Sequence, residues 1–227
     1  MNHDRSPSAG ALALTLAGEA LWLLPERALW WPARAMLLVA DVHLGKAQSF
    51  RRLGVPVPGG SGSETLARLS GLIDTLGVEE LVFLGDLLHS RHAHDEAPAA
   101  LLRAWRQRHA GLAVTLVRGN HDDRAGDPPA DLGIALVDEP WRVGPFALCH
   151  HPQTVAGAYA LAGHVHPCVN LGGRARDRLR LPCFQLGAEA GVLPAFGAFT
   201  GMHPVRPQAD ERLYVIADDA VVALPGG

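Results

Sequence analysis

The chain of 227 residues is long enough for one large domain with a full core and short for two independent ones. Its 48% hydrophobic and 19% charged residues exclude a chain disordered throughout. A formal net charge of −3 excludes an overall basic field that would hold nucleic acid by counterion release alone, so any nucleic-acid contact must be local.

The first ten residues carry Asp4 and lack a basic segment followed by a long apolar run, so they do not read as a signal peptide. They are expected to form a tail over 1–10, ahead of a single domain over 11–227. Ala11 to Leu16 and Glu19 to Leu24 have the pattern of short strands around the Ala17-Gly18 turn, and Ala28 to Trp31 adds another. Ala35 to Ala40 is a continuous apolar run that stops at Asp41, as expected of a strand buried on both faces. After a loop rich in Gly and Pro, a helix is expected from Glu64 to Leu76, where Leu66, Leu69, Leu72, Ile73 and Leu76 recur at helical spacing, with Ser61 or Ser63 as the expected cap. Leu81 to Leu84 stops at Gly85-Asp86, a helix is expected from Pro98 to Arg108, and Ala113 to Val117 stops shortly before Gly119 to Asp122.

This rhythm argues for parallel strands joined by helices, with the polar clusters at one sheet edge, beyond the carboxyl ends of the strands. From about Gly144 the pattern changes to short β-like pieces: Phe146 to Cys149, Leu161 to Ala162, Leu179 to Gln185, Leu213 to Ala217 and Ala220 to Leu224. A second, mostly antiparallel sheet is expected to sandwich the core. Cys149, Cys168 and Cys183 lack a CxxC pair and fit reduced thiols in a cytoplasmic protein better than a disulfide framework. No run of eighteen uncharged apolar residues is present.

Metal-type ligands gather in five clusters: Asp41-Val42-His43, Gly85-Asp86, Gly119 to Asp122, His150-His151 and Gly163 to His166. Carboxylate, imidazole and amide oxygen together suit Mn, Fe or Zn better than an all-thiolate site would. On an extended segment, Asp41 and His43 would share one side and chelate one ion, and His164 and His166 would repeat that geometry. Asp86 is placed to bridge two ions through its two oxygens. Any one histidine at a strand end reads as an ordinary polar group. Five such clusters, each following an apolar run or within a few residues of one, change that reading.

The ordered signature DxH, GD, GNHD, H and GHxH resembles the calcineurin-like metallophosphoesterase superfamily. The resemblance implies a four-layer α-β-β-α sandwich in which two mixed sheets are flanked by helices. It implies one divalent metal on Asp41, His43, Asp86 and His166 and a second on Asp86, Asn120, His150 and His164. Between His150 and His151 the pattern is ambiguous, and His150 is preferred because it directly follows the apolar run. Two ions ~3.5–4 Å apart polarise phosphoryl oxygens and make hydroxide from a bridging water. His121 is implied as the non-ligand that stabilises the pentacoordinate phosphorus or protonates the leaving oxygen, with Asp122 holding its ring.

A closer resemblance runs through Asp41 to Lys46, Phe50-Arg51, Gly54 to Pro58, Gly85 to Ser90 and Leu193 to Gly201, which look like the bacterial DNA ligase-associated metallophosphoesterases. That family implies a manganese-dependent phosphodiesterase and DNA endonuclease, linked to DNA repair and to a ligase, a helicase and an exonuclease. Lys46, Arg51 and Arg52 follow the first metal loop closely enough to reach further phosphates, or form a solvated basic loop. Arg174, Arg176, Arg178 and Arg180 would share one face if on a strand. His89, His92 and His94 follow Asp86 and either approach substrate or stand exposed. A phosphomonoesterase or small-molecule phosphodiesterase on the same fold, and a non-catalytic phosphate-binding subunit, are the alternatives.

Overall fold

The computed structural model describes residue 7 and residues 9–57, 60–172 and 178–225. Of the four alternating arginines, Arg174 and Arg176 lie outside the described residues. The strands in chain order are β1 (Leu12–Leu16), β2 (Glu19–Leu24), β3 (Ala28–Trp31), β4 (Met36–Ala40), β5 (Glu80–Leu84), β6 (Ala113–Val117), β7 (Ala135–Val137) and β8 (Trp141–Val143). They continue with β9 (Phe146–Leu148), β10 (Tyr159–Ala162), β11 (Pro167–Gly172), β12 (Arg178–Leu186), β13 (Ala190–Val192), β14 (His203–Pro204), β15 (Arg212–Ala217) and β16 (Ala220–Ala223). The α-helices are α1 (Lys46–Arg52), α2 (Ser61–Leu76), α3 (Glu96–Arg108) and α4 (Asn120–Ala125).

The first sheet runs β1-β2-β3-β4-β5-β6-β7 in chain order, antiparallel as far as β4 and parallel from β4 to β7. The second runs β14-β11-β12-β13-β10-β9-β8, with β15 and β16 added beside β12. Both sheets are mixed and helices flank them, as the family resemblance implies. Alternation along β4 explains the packing: Leu37 and Val39 face α2 and α3 with Leu69, Ile73 and Trp105, while Met36, Leu38 and Ala40 face Phe146, Leu161 and Phe184 of the second sheet. The helices are unevenly shared, since every helix among the described residues lies between Pro32 and Leu132. The outer face of the second sheet carries smaller apolar clusters, one of them around Val169, Cys183, Leu213 and Val215.

One local expectation is corrected. The helix expected from Glu64 begins at Ser61, so neither serine caps it; left-handed Gly60 is the N-cap, and Ser63 Oγ donates to its carbonyl at 2.8 Å. Gly119 to Asp122, whose local structure the sequence left open, leads into the short helix α4.

Candidate metal centre

Across the first sheet Ala40 pairs with Leu84 and Leu84 with Val117, so β4, β5 and β6 end together and release Asp41, Asp86 and Asn120 along one edge. In the second sheet Leu148 pairs with Leu161, so β9 and β10 release His150 and His164 side by side, and the Gly163 N–H donates to the His150 carbonyl at 3.0 Å. The two edges meet: the His164 N–H donates to Asp41 Oδ2 at 2.9 Å. The site is therefore a seam between two packed sheets.

The extended-segment expectation for the DxH and HxH pairs is wrong in detail. Asp41 (φ 54°), His43 (φ 52°), Asp86 (φ 50°), His164 (φ 69°) and His166 (φ 54°) are all left-handed, just past the strands that precede them. Each costs about 1–2 kcal/mol for an L-residue, and such strain persists only where surrounding structure enforces it. The left-handed turns direct both members of each pair into the seam without a strand pleat.

Close approach at the glycines serves the same end. A Cβ on Gly85 would overlap the His150 ring, and one on Gly163 would lie 2.7 Å from Asp41 Oδ2.

Two groups of ligand atoms result. In the first, His43 Nε2 and His166 Nε2 face each other at 3.4 Å, His166 Nε2 lies 3.4 Å from Asp41 Oδ1, and His43 Nε2 lies 3.7 Å from Asp86 Oδ2. In the second, His150 Nε2 lies 3.0 Å from Asn120 Oδ1, 3.1 Å from His164 Nδ1 and 3.4 Å from Asp86 Oδ1. Asp86 thus offers one oxygen to each group.

The donor chemistry fits cations. His166 Nδ1–H donates to the Gly201 carbonyl at 3.0 Å and His150 Nδ1–H to the Leu84 carbonyl at 3.2 Å, which leaves each Nε2 as a lone pair aimed at other lone pairs. Asp41 Oδ1 is buried with no hydrogen-bond partner. Acceptors facing acceptors in a buried site are costly unless a cation lies among them. Burial, followed by Lys46 and the neighbouring histidines, presses the His43 pKa far down and keeps the ring neutral, as a ligand must be. Burial and then His150 and His151 press His164 down too. For His166 burial also lowers the pKa, but the Asp41 carboxylate outweighs it and the net direction is upward.

His150, fully buried, points into the cluster, whereas His151 stands beside it, its ring centre 4.5 Å from that of His164 and its Nδ1 2.7 Å from Glu139 Oε1. Glu139 Oε2 also accepts the His150 and His151 N–H groups at 2.7 and 2.8 Å. Sequence reasoning missed this anchor, because a carboxylate eleven residues upstream carries no local signal.

His121 Nδ1–H donates to the His89 carbonyl at 2.9 Å, and Nε2 stands 3.9 Å from Asp86 Oδ2. Asp122 does not hold that ring, which corrects the expectation. Its two oxygens instead accept the Leu88 N–H at 2.9 Å and the Gly119 N–H at 3.0 Å, tying the loop after β5 to α4. Burial pushes Asp122 up to about 7 against those donors.

Of the residues expected at the mouth, Lys46 opens α1 and is half-buried. Burial lowers its pKa, partly offset by Asp41 and Asp86. His89 stacks on His121 at 4.9 Å with its Nδ1 3.4 Å from His43 Nδ1, so it lies inside the site, and burial with Lys46 and His121 presses it down to about 4. Arg51 is exposed and donates to the Val57 carbonyl, while Arg52 pairs with Asp95 at 2.9 Å. His92 pairs with Asp95 and His94 is exposed. The Cys149 thiol, pushed up to about 11 by burial and Glu139, is a packed side chain, and no helix among the described residues is long and apolar enough to cross a membrane.

The sequence model of the family described as Calcineurin-like phosphoesterase matches residues 35–149. The crystal structure of Pseudomonas putida nuclease MPE is similar at 47% identity, covering 94% of this chain and 100% of that one, with a TM-score of 0.84. Yfce, a phosphoesterase from E. coli, aligns at 15% identity over 84% of this chain and 98% of that one with a TM-score of 0.43, too slight a likeness to argue from. A comparison with curated proteins finds no match.

Proposed function

Because this chain belongs to the calcineurin-like phosphoesterase family and is a metallophosphoesterase hydrolase, we propose that it is a DNA nuclease that cleaves phosphodiester bonds in DNA repair with a pair of divalent cations, Mn foremost. The observation that carries the reading is Asp86, whose two oxygens face two separate imidazole groups. The full-length likeness to a nuclease favours a diester of nucleic acid over a small phosphomonoester. When bound, the cation pair supplies Lewis acidity towards the phosphoryl oxygens and an activated water.

The protein's own groups do the rest. The His89 carbonyl fixes the His121 Nδ1–H, so Nε2 is the atom that faces substrate and, when the ring carries its second proton, delivers that proton to the leaving oxygen. Asp122 holds the two backbone segments that carry Asp86 and His121 in register. Lys46 adds positive charge at the mouth for a neighbouring phosphate, in a chain whose net charge is −3. A cytoplasmic setting and a functional link to a ligase, a helicase and an exonuclease belong to the same reading.

The test is metal-stripped protein titrated with Mn, Fe, Zn and Mg against mono- and di-nitrophenyl phosphates and against circular single-stranded and duplex DNA. Cleavage of circles, best with Mn, is expected. Turnover of the monoester with circles left intact would replace the nuclease by a phosphomonoesterase. No hydrolysis of any substrate by the metal-loaded protein would leave only a phosphate-binding role.

A further inference from the structure

The segment Leu193 to Gly201 crosses from the end of β13 to the metal seam. Its backbone is stitched to the first group of ligands. Ala195 bridges Ala40, the Phe196 N–H donates to the Ala40 carbonyl at 2.8 Å, and the Gly197 N–H donates to the Asp41 carbonyl at 3.1 Å. Further along, the Gly201 carbonyl accepts from His166 Nδ1 at 3.0 Å, and the His203 N–H donates to the His166 carbonyl at 2.9 Å. Thr200 Oγ1 closes the turn onto the Gly197 carbonyl at 3.1 Å.

This strap is backed from the other side by α2. Thr65 Oγ1 accepts the Ala198 N–H at 3.3 Å, and Arg68 donates to the Phe196 carbonyl with its guanidinium 4.3 Å from the Phe196 ring centre. Gly197 sits so close to the metal loop that a Cβ there would lie 2.5 Å from the Val42 carbonyl and 3.1 Å from that of Asp41. In contrast, His150 is held by the Leu84 carbonyl and Glu139, and Asn120 by its place in α4, none of which belongs to the strap, and His164 meets it only indirectly, through its N–H on Asp41 Oδ2.

The geometry points to a strap that positions one metal and not the other: residues 195–201, with Gly197 and the Gly201 carbonyl as its positioning groups, build the cation position of Asp41, His43 and His166, while the position of Asn120, His150 and His164 stands without them. Asp41 and His166 are both left-handed, a conformation that needs outside restraint, and the strap supplies it at the Asp41 carbonyl and at His166 Nδ1, with His203 just beyond the strap bonding the His166 carbonyl. Its carbonyl at Gly201 also fixes the tautomer that bares His166 Nε2. Loosening the strap therefore converts a two-cation centre into a one-cation centre.

The inference rests on the reading of this seam as a cation pair, and its test keeps the two apart. Purified full-length protein, Gly197→Ala and the milder Thr65→Val are stripped and titrated with Mn(II) alone, with stoichiometry read by calorimetry and coupling by electron paramagnetic resonance. The unaltered protein is expected to bind about two Mn(II) per chain with an exchange-coupled spectrum. Gly197→Ala is expected to bind about one tightly, with the spectrum of an isolated ion, and Thr65→Val to weaken one equivalent by about tenfold while the other is unchanged. Thermal melting of the stripped proteins identifies a misfolded variant, in which case Thr65→Val decides. Coupled pairs in both variants, or equal weakening of both equivalents, would overturn the strap's selectivity. Failure of the unaltered protein to bind Mn(II) would instead remove the cation-pair reading itself.

Discussion

The first sheet brings Asp41, His43, Asp86 and Asn120 to the seam, a mixed set of ligands, whereas the second brings His150, His164 and His166, all imidazoles. The carboxylates that attract cations lie on one side, and imidazole nitrogens that complete each coordination lie on the other. Neither sheet alone assembles the centre, because every proximity within the two ligand groups except those of Asp86 with His43 crosses the seam or lies on the second side of it. Packing of Leu38, Ala40 and Leu84 against Phe146, Leu161 and Phe184 is thus a condition for metal binding as well as for stability. The difference teaches that the cations are held by the docking of two sheets rather than by a preformed loop.

The change expected to break this comparison most completely is Asp86→Ala. It removes the one side chain that serves both groups, so both cations and all turnover are expected to be lost, measured as metal content beside rate. Retention of both metals with only a modest fall in rate would show that the seam does not need its bridge. His121→Ala comes next. Its contacts with Asp86, His89 and His43 lie on the first sheet's side and none of them is a ligand bond of its own, so metal content should hold while turnover on DNA falls about 10²- to 10⁴-fold. Near-full activity in that variant would take the proton-donor role away from it.

Much of the seam was legible because β4, β5 and β6 are apolar runs that each stop close to a ligand, and the boundaries read from the sequence agree with the structure to about one residue there. The short helices α1 and α4 and the strands β7, β8 and β13 were not, since three to seven residues span too little chain for a hydrophobic period to show. β11 opens on Pro167 and ends on Gly172, residues that ordinarily argue against a strand. The left-handed backbone at Asp41, His43 and Asp86 was hidden for a different reason. Asp and His adopt positive φ more often than most side chains but still uncommonly, so the residue type alone does not announce it and the neighbours that enforce it explain it. Asp122 was misjudged likewise: the family resemblance implied contact with the His121 ring, but the first turn of α4 directs the carboxylate to Leu88 and Gly119 instead.

Gly85→Ala sharpens the comparison from the first sheet towards the second. The added methyl would occupy the space of the His150 ring, and Gly85 is itself left-handed at φ 75°, so the variant meets both a clash and strain. The cation position of Asn120, His150 and His164 is expected to weaken by about 10- to 100-fold, while that of Asp41, His43 and His166 changes less. Mn(II) titration of the variant measures both, and equal weakening of the two would mean that β5 disturbs the seam as a whole.

The smallest effect is expected at His151, adjacent to a ligand in sequence and packed against the His150 and His164 rings, but with its Nδ1 taken by Glu139. Its ring is partly exposed and engages Glu139, and what Glu139 gives to the site passes through backbone N–H groups that His151→Ala leaves in place. That variant should bind Mn(II) with both equivalents and keep its rate within about threefold, the scale of a lost exposed pair. Glu139→Ala should cost more than His151→Ala, because it leaves the buried His150 N–H without its acceptor and frees the backbone that aims the ring. If His151→Ala instead lost one equivalent of metal, the second sheet would be supplying a ligand that the geometry assigns to His150, and the assignment of imidazoles along that edge would have to be redrawn.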